Sequence, residues 1–169
     1  MKAKILLTVA ILGFGYVCSG QNSSWDKWNW LTGEWIGEGS GKPGQGSGTF
    51  SFAFDLDRNI LVRKNHTEYP ATGTRPQTMH NDLMIVYPDP GGNITKAIYF
   101  DNEGHTINYT ITYSEKSVTF TSDKIPNMPV FRLIYTLIDN GTVNIQFQMS
   151  QDGIKFNPYL EGISKRREQ

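Results

Sequence analysis

The sequence predicts an all-β fold, a single antiparallel up-and-down barrel of about ten strands with a short N-terminal helical turn. Short runs of alternating apolar and polar residues are separated by Gly, Asn, Asp and Pro along most of the chain. After the first tryptophans no segment sustains a helical period, so nothing supplies the crossover helices of a parallel sheet. A barrel hides the edges of such a sheet most completely, and we favour it over a sandwich.

A tryptophan-rich stretch stands at the beginning of the predicted barrel. All four tryptophans lie within eleven positions, at Trp25, Trp28, Trp30 and Trp35. The first two would share one face of a helical turn that plugs an end of the barrel. Gly33 and Gly37 suit a first strand over residues 35–39 that must bend sharply. Clustered tryptophans also occur in ordinary cores, so this pattern leaves open whether the barrel is solid or hollow.

The remaining strands follow from alternation and turn signals. The Asp101–Gly104 and Asp139–Gly141 stretches are strong hairpin signals, because their glycines accept positive φ. We predict further strands over residues 50–54, 60–66, 80–87, 95–100, 105–113, 117–122, 131–138, 142–149 and 156–165.

The first twenty residues have the pattern of a secretory signal peptide. Lysines at positions 2 and 4 precede an apolar run over residues 5–17 and small residues at 18–20. We expect cleavage after Gly20, a secreted or periplasmic protein, and one barrel domain over residues 21–169. A lipid anchor at Cys18, the one cysteine, ranks lower because the residues before it match a lipoprotein site poorly.

The charge pattern excludes several partners. Formal net charge is zero and the basic residues are scattered, so nothing indicates nucleic-acid binding or an anionic membrane. The apolar run at the start is too short for a comfortable membrane span. We expect a monomer or dimer without membrane insertion.

Both ends of the barrel region resemble a known superfamily. Residues 33–39 read Gly-Glu-Trp-Ile-Gly-Glu-Gly, and residues 158–162 read Pro-Tyr-Leu-Glu-Gly. These motifs resemble the calycin superfamily, and within it the nitrobindin-like barrels and lipocalin-like domains of unknown function. The resemblance implies that a basic residue of the last strand, Arg166 or Arg167, packs over Trp35 by cation–π attraction.

The same resemblance bears on cofactors. Nitrobindins hold haem through a last-strand histidine, and the matching position here is Tyr159. Tyrosinate can ligate ferric haem, so haem stays possible, but the ferrous chemistry of that branch needs a neutral imidazole. The cofactor is therefore unknown from the sequence.

Three histidines are candidate ligand-binding residues. His66 lies two residues before Glu68, and His80 lies two before Asp82, so each pair would share a strand face. His105 would share a face with Tyr109. Three imidazoles suit zinc, but no two histidines form a local ligand motif, and we assign no metal ligand. Alternatively, each histidine lies at a strand end, satisfied by a neighbouring carboxylate.

Arg132 is a further candidate. An arginine inside a barrel could bind a ligand carboxylate with both arms of its guanidinium. Alternation, however, places it opposite Phe131, Leu133 and Tyr135, and we expect it to face outward.

The function predicted is binding of a small, largely apolar molecule in the lumen. The ligand would be held by apolar walls, with the three histidines, Tyr109, Tyr159 and, if it faces inward, Arg132 supplying polar contacts. The alternatives are an enzyme that uses a histidine–carboxylate pair or a metal in the same cavity, and a packed barrel acting through its outer surface. The sequence contains no nucleophile motif or phosphate loop, and we assign no catalytic residue.

Overall fold

The computed structural model describes residues 25–37 and 46–168. Within them, a 3₁₀ turn, Trp25–Trp28, is followed by strands only. The strands are β1 Gly33–Gly37, β2 Ser47–Asp55, β3 Ile60–Tyr69, β4 Thr78–Tyr87, β5 Lys96–Asp101, β6 Thr106–Tyr113, β7 Ser117–Ser122, β8 Val130–Asp139, β9 Thr142–Ser150 and β10 Asn157–Arg166.

These ten strands form one closed antiparallel barrel, and β1 pairs with both β2 and β10. The predicted fold class is therefore confirmed. All strand pairs are neighbours in sequence except the closing pair, where Trp35 lies opposite Arg166. Short turns join β2 to β3, β5 to β6, β6 to β7 and β8 to β9, whereas the connections 70–77, 88–95, 123–129 and 151–156 are longer.

Several strand bounds differ from the predicted ones: β2 begins at Ser47 rather than residue 50, β3 ends at Tyr69 rather than residue 66, and the first strand is shifted. Strand β1 begins at Gly33, two residues earlier than expected, because Gly33 already pairs with Phe52 of β2. The backbone of Gly33 has φ of +108°, which a glycine adopts at little cost. Residues 38 and 39, the predicted end of this strand, lie outside the described residues.

The barrel has two unlike ends, which the connections define. We call the end with the 3₁₀ turn and the turns 56–59, 88–95, 114–116 and 140–141 the closed end. The other end, with the connections 70–77, 102–105, 123–129 and 151–156, is the open end. Because successive antiparallel strands alternate in direction, their connections alternate between these two ends.

The core lies toward the closed end. Trp28 is fully buried, with its ring against Phe52, Tyr113 and Phe120 at centroid distances of 5.7–6.1 Å. Trp25 packs edge-on against Phe54 at 5.5 Å. The two tryptophans thus lie on one side of the turn and plug this end, as predicted. The described helical turn has neither the length nor the apolarity of a membrane-spanning helix.

Candidate functional site

The interior of the barrel changes character from one end to the other. Paired residues of neighbouring strands face the same side of the sheet, so the register identifies the inward side chains. Near the closed end these side chains are buried, for example Phe52, Leu61 and Val118. Toward the open end, inward side chains are only partly buried although they point into the barrel. They are Asn65, Thr67, Tyr69, His80, Tyr99, Ile107, Phe131, Ile145, Phe147 and Met149.

One wall of this open half is apolar and comes from β8, β9 and β10. The rings of Phe131 and Phe147 stack at 5.6 Å, and Tyr159 meets Phe147 edge-on at 6.1 Å. Gly162 lies in the same wall, opposite Ile145 of β9. A methyl group placed on Gly162 would meet no atom within 4 Å, so there is open space in front of it. We call the open space in front of Gly162, together with the partly exposed inward side chains around it, the hollow.

The opposite wall is polar and comes from β3, β4 and β5. Arg63 and Asp82 form a buried ion pair through the guanidinium Nη1 and the carboxylate Oδ1. Asn65 Nδ2 donates to the other oxygen of Asp82 at 2.9 Å. Burial lowers the pKa of Arg63, but Tyr135 and Asp82 raise it more, so the guanidinium stays charged. The charge of Arg63 is thus already balanced by the protein.

His80 connects this pair to the rim of the open end. Its Nδ1 lies 3.1 Å from Glu103 Oε1, and its Nε2 lies 3.0 Å from the Tyr99 hydroxyl and 3.4 Å from Asp82 Oδ2. The Tyr99 hydroxyl donates its own proton to Asp101 Oδ2 at 3.2 Å. Both ring nitrogens therefore face acceptors, which suits the imidazolium form. The hydrogen bond with Asp82 raises the pKa of His80, burial opposes the rise, and Glu103 adds to it.

Asp101 completes the network at the β5–β6 turn. It accepts the backbone N–H groups of Glu103 and His105 on one oxygen, and His105 Nδ1 on the other at 2.9 Å. Burial alone would raise the pKa of Asp101, but the donors at His105 and Glu103 hold it below its usual value. Cations and carboxylates are therefore interleaved along this wall.

Two tyrosine hydroxyls in the hollow are not committed to this network. The inward Tyr69 and Tyr109 hydroxyls make no hydrogen bond with another described residue. Burial raises the pKa of Tyr109, so its hydroxyl stays protonated and can donate. The polar wall thus offers hydroxyl groups rather than an unbalanced charge.

The structure brings two of the six candidate ligand-binding residues into the interior. His80 and Tyr109 point inward, from β4 and β6. His105 and Tyr159 lie at the rim of the open end, both largely exposed. Asp82 was expected beside His80, and it lies there.

The expected inward placement of His66 is wrong. Its ring faces the outside of β3, with Nδ1 at 2.6 Å from Asn81 Oδ1 and Nε2 at 3.1 Å from Glu68 Oε1. These contacts match the alternative in which a strand histidine is satisfied by its neighbours. His66 lines an open groove on the outer surface together with Glu34, Thr49, Ser51, Lys64 and Arg167.

Arg132 faces outward, as alternation indicated, and cannot reach a ligand in the lumen. Its guanidinium stacks on the ring of Phe156 at 3.6 Å from the ring centroid. This contact fastens the β9–β10 connection to the outside of β8.

The three histidines do not meet, so the three-histidine metal hypothesis is wrong. Among the residues that the structure describes, no three His, Cys, Asp or Glu side chains converge in a metal-binding group. The residues also do not fit a haem held from β10. Tyr159 is 73% exposed at the rim, and His80, the one histidine that faces the hollow, has both ring nitrogens engaged.

The residues assigned to structural roles meet at the closure of the barrel. The Arg166 guanidinium lies 4.3 Å from the Trp35 ring centroid, which is the expected contact. It also donates to the carbonyl oxygens of Thr32 and Trp30 at 2.5 and 2.6 Å. A side chain at Gly33 would approach Arg166 Nη1 to 2.9 Å, so only glycine leaves room for it.

The other two structural residues have separate contacts. Arg167 turns away from Trp35 and donates to Glu34 Oε2 at 2.7 Å on the surface. A methyl group on Gly37 would lie 3.1 Å from Ser164 Oγ, in keeping with close packing of β1 on β10.

Sequence reasoning missed Arg63, Asn65 and Thr67. It placed His66 among the residues that contact a ligand in the lumen, whereas the inner face of β3 consists of the odd-numbered residues from Leu61 to Tyr69. Both faces of this strand begin apolar and become polar, so alternation alone gives no preference. A buried partner for Arg63 across the β3–β4 pair was the signal that could have identified the correct face.

Comparison with known proteins supports the fold alone. No protein-family model matches the chain, and no curated protein matches it. Among solved structures, it is similar to the crystal structure of Rv2717c from M. tuberculosis, with a TM-score of 0.57 and 11% identity over 87% of this chain and 99% of that one. This similarity and the closed ten-stranded sheet fit a calycin-like barrel fold.

Proposed function

We propose that this chain is an exported binding protein of the nitrobindin-like or lipocalin-like type that holds one small, largely apolar and uncharged molecule in the open half of its barrel. The observation that carries the proposal is the hollow in front of Gly162, bordered by inward side chains that packing leaves partly exposed. A barrel of this size can enclose one small ligand. The apolar wall around Phe147 would contact the body of the ligand.

The polar wall supports an uncharged ligand. Arg63 is paired with Asp82, and His80 lies between Asp82 and Glu103, so the charges of both cations are already balanced by carboxylates. A ligand carboxylate would lose its hydration without gaining a partner. The hydroxyls of Tyr69 and Tyr109 suit a carbonyl or hydroxyl oxygen on one edge of the molecule.

The geometry favours binding over catalysis. A general base needs a nitrogen or oxygen within reach of a substrate proton. Both ring nitrogens of His80 are engaged by Glu103, Tyr99 and Asp82, so they are not available for that role. An enzyme in this lumen would lose turnover on His80→Ala, whereas a binder would lose affinity only in part.

The proposal is tested by a larger side chain that fills the hollow and by the affinity of the protein for an uncharged dye. Wild type should enhance the fluorescence of Nile red, an uncharged dye, with saturation at one molecule per barrel. Gly162→Leu should lower the affinity about tenfold or more, which corresponds to about 1.4 kcal/mol. Its added side chain enters empty space, so thermal stability should be kept. Ile163→Leu, an exposed outward position next to it, is the matched control.

A second series tests the charge of the ligand. We expect 2-acetylnaphthalene to displace Nile red at lower concentration than 2-naphthoate, which has the same ring system and a carboxylate. Absence of saturable dye binding, or equal binding by Gly162→Leu, would refute the hollow barrel. Tighter binding of the carboxylate would refute only the uncharged ligand. Native mass spectrometry of protein from its own host, before and after organic extraction, would then give the mass of a natural occupant.

A further inference from the structure

Exposed apolar side chains are concentrated on one sector of the open end. This sector comprises the β7–β8 connection, the β9–β10 connection and the first residues of β10. We call its five exposed large apolar residues the mouth patch: Ile125, Met128, Ile154, Tyr159 and Leu160. The opposite sector of the rim carries polar residues such as Glu103 and His105, and two exposed apolar residues, Met79 and Phe100.

The β9–β10 connection holds the tip of the mouth patch in place. Asp152 accepts the backbone N–H groups of Ile154 and Lys155 at 2.8 and 2.9 Å, and the Ser150 hydroxyl at 2.8 Å. These three donors lower the pKa of Asp152 to about 2, so the turn keeps its carboxylate ionised. Gly153 has φ of +78°, which permits the tight turn. An isoleucine that is 85% exposed is therefore presented on an ordered turn.

The β7–β8 connection presents the second tip in a similar way. The backbone N–H of Met128 donates to the carbonyl of Ile125 at 3.1 Å, and Asn127 has φ of +64°. Prolines at positions 126 and 129 restrict the backbone on both sides. Both apolar side chains of this turn consequently stay exposed.

The two tips are neighbours around the barrel. Strands β7, β8, β9 and β10 follow one another in the sheet, so their two open-end connections are adjacent. Tyr159 and Leu160 continue this surface into the apolar wall of the lumen, since Tyr159 packs on Phe147 and Leu160 pairs with it in the sheet. The mouth patch and the hollow are thus one continuous apolar surface.

The charge and shape of the mouth patch indicate the kind of partner. Each turn carries one lysine and one aspartate, Lys124 with Asp123 and Lys155 with Asp152, so the sector has no net charge. Five apolar side chains on two turns are also far fewer than the roughly 20–30 residues that each side of a standard interface between two proteins contributes. Exposed apolar side chains next to lysines and a tyrosine suit the boundary between lipid headgroups and acyl chains.

We propose that the mouth patch docks on the surface of a zwitterionic lipid bilayer, with the tips among the headgroups and the hollow open to the acyl chains. Apolar molecules accumulate in that region, and the docked barrel could take them up without passage through water. This role rests on the proposed function, whereas the docking itself depends on the mouth patch alone.

The experiment is co-sedimentation with palmitoyl-oleoyl-phosphatidylcholine vesicles. The protein is purified from its own host in the form that accumulates there, so that every variant carries the same N-terminal region. The double variant Ile125→Asp/Ile154→Asp should reduce the partition coefficient about tenfold or more, because it removes both apolar tips and adds two charges. The matched control is Leu56→Asp/Ile138→Asp, which changes two exposed apolar residues at the closed end. We expect this control to bind like wild type.

Four results would overturn the proposal. They are absence of vesicle binding by wild type, equal binding by the mouth-patch variant, and equal loss in the closed-end control. A fourth is a dimer in sedimentation velocity that only the mouth-patch variant dissociates, since the occupant would then be a second copy. Nile red affinity without vesicles reports on the lumen separately. Loss of vesicle binding with unchanged dye affinity would assign the effect to docking rather than to the hollow.

Discussion

Replacement of Arg166 by methionine tests how the barrel is closed. Methionine keeps an unbranched apolar stem but removes the guanidinium. The two backbone carbonyls of Thr32 and Trp30 then lose their donors, at 2.5 and 2.6 Å in the structure. The face of Trp35 also loses its cation. The closure between β10 and β1 would then depend on the backbone pairing and on the exposed Arg167–Glu34 ion pair.

The size of the effect follows from these three contacts. A hydrogen bond from a charged donor contributes about 1.5–3 kcal/mol, and a cation–π contact about 0.5–2 kcal/mol. Arg166 is partly exposed, so the lower values apply, and water at the vacated carbonyls offsets part of the loss. We expect the free energy of unfolding to fall by about 3 kcal/mol, which lowers Tm by about 10 °C for a domain of this size.

The adjacent arginine provides the control. Arg167→Met removes only an exposed ion pair with Glu34, which is worth less than about 1 kcal/mol. Urea unfolding followed by tryptophan fluorescence measures both variants, because every tryptophan lies within residues 25–35, near this closure. Arg166→Lys should give an intermediate loss, since its ammonium lacks the fork that reaches two carbonyls. If Arg166→Met cost no more than Arg167→Met, the assigned role of Arg166 would be refuted.

Two further predictions concern the network and the plug. The pKa of His80 is raised in the folded state. The contribution of His80 to the free energy of unfolding is therefore complete below about pH 6.5 and is lost as the pH rises through the pKa of the folded state. His80→Gln should therefore flatten the decline of unfolding free energy between pH 6 and 8.5, and parallel profiles would contradict this. Tyr113→Phe removes the acceptor of Trp28 Nε1, 3.1 Å away, and should cost about 1–3 kcal/mol in urea unfolding. An unchanged midpoint would show that the indole finds another partner.

The fold could be predicted from the sequence because its signals are local. Period-two runs define strands, and turns such as Asp139–Gly141 define hairpins, so a meander follows without knowledge of distant contacts. The Trp35–Arg166 contact joins the two ends of this meander, and a family resemblance rather than periodicity pointed to it. The start of β1 was misplaced because Gly33, which has no side chain, gives no alternation signal.

The site was less predictable because it depends on which face of each strand looks inward. On β6 the answer is clear, since Tyr109 alternates with polar residues. On β3 both faces begin apolar, and the histidine at position 66 led to the prediction that the outer face points inward. The interior role of Arg63 becomes visible only when Asp82 is placed across from it by the β3–β4 register. A buried ion pair between two strands depends on their register, and the alternation pattern of one strand does not contain that register.

The closure of the barrel by its last strand has a consequence for synthesis of the protein. Arg166 supplies contacts to Trp30, Thr32 and Trp35, all of which leave the ribosome more than a hundred residues earlier. Until β10 emerges, β1 lacks one of its two partner strands. The Trp35 ring of the nascent chain is then not yet covered by Arg166. Such a chain still exposes apolar surface that chaperones can bind. An mRNA truncated before codon 166 should consequently yield a protein that proteases degrade faster than the full-length chain.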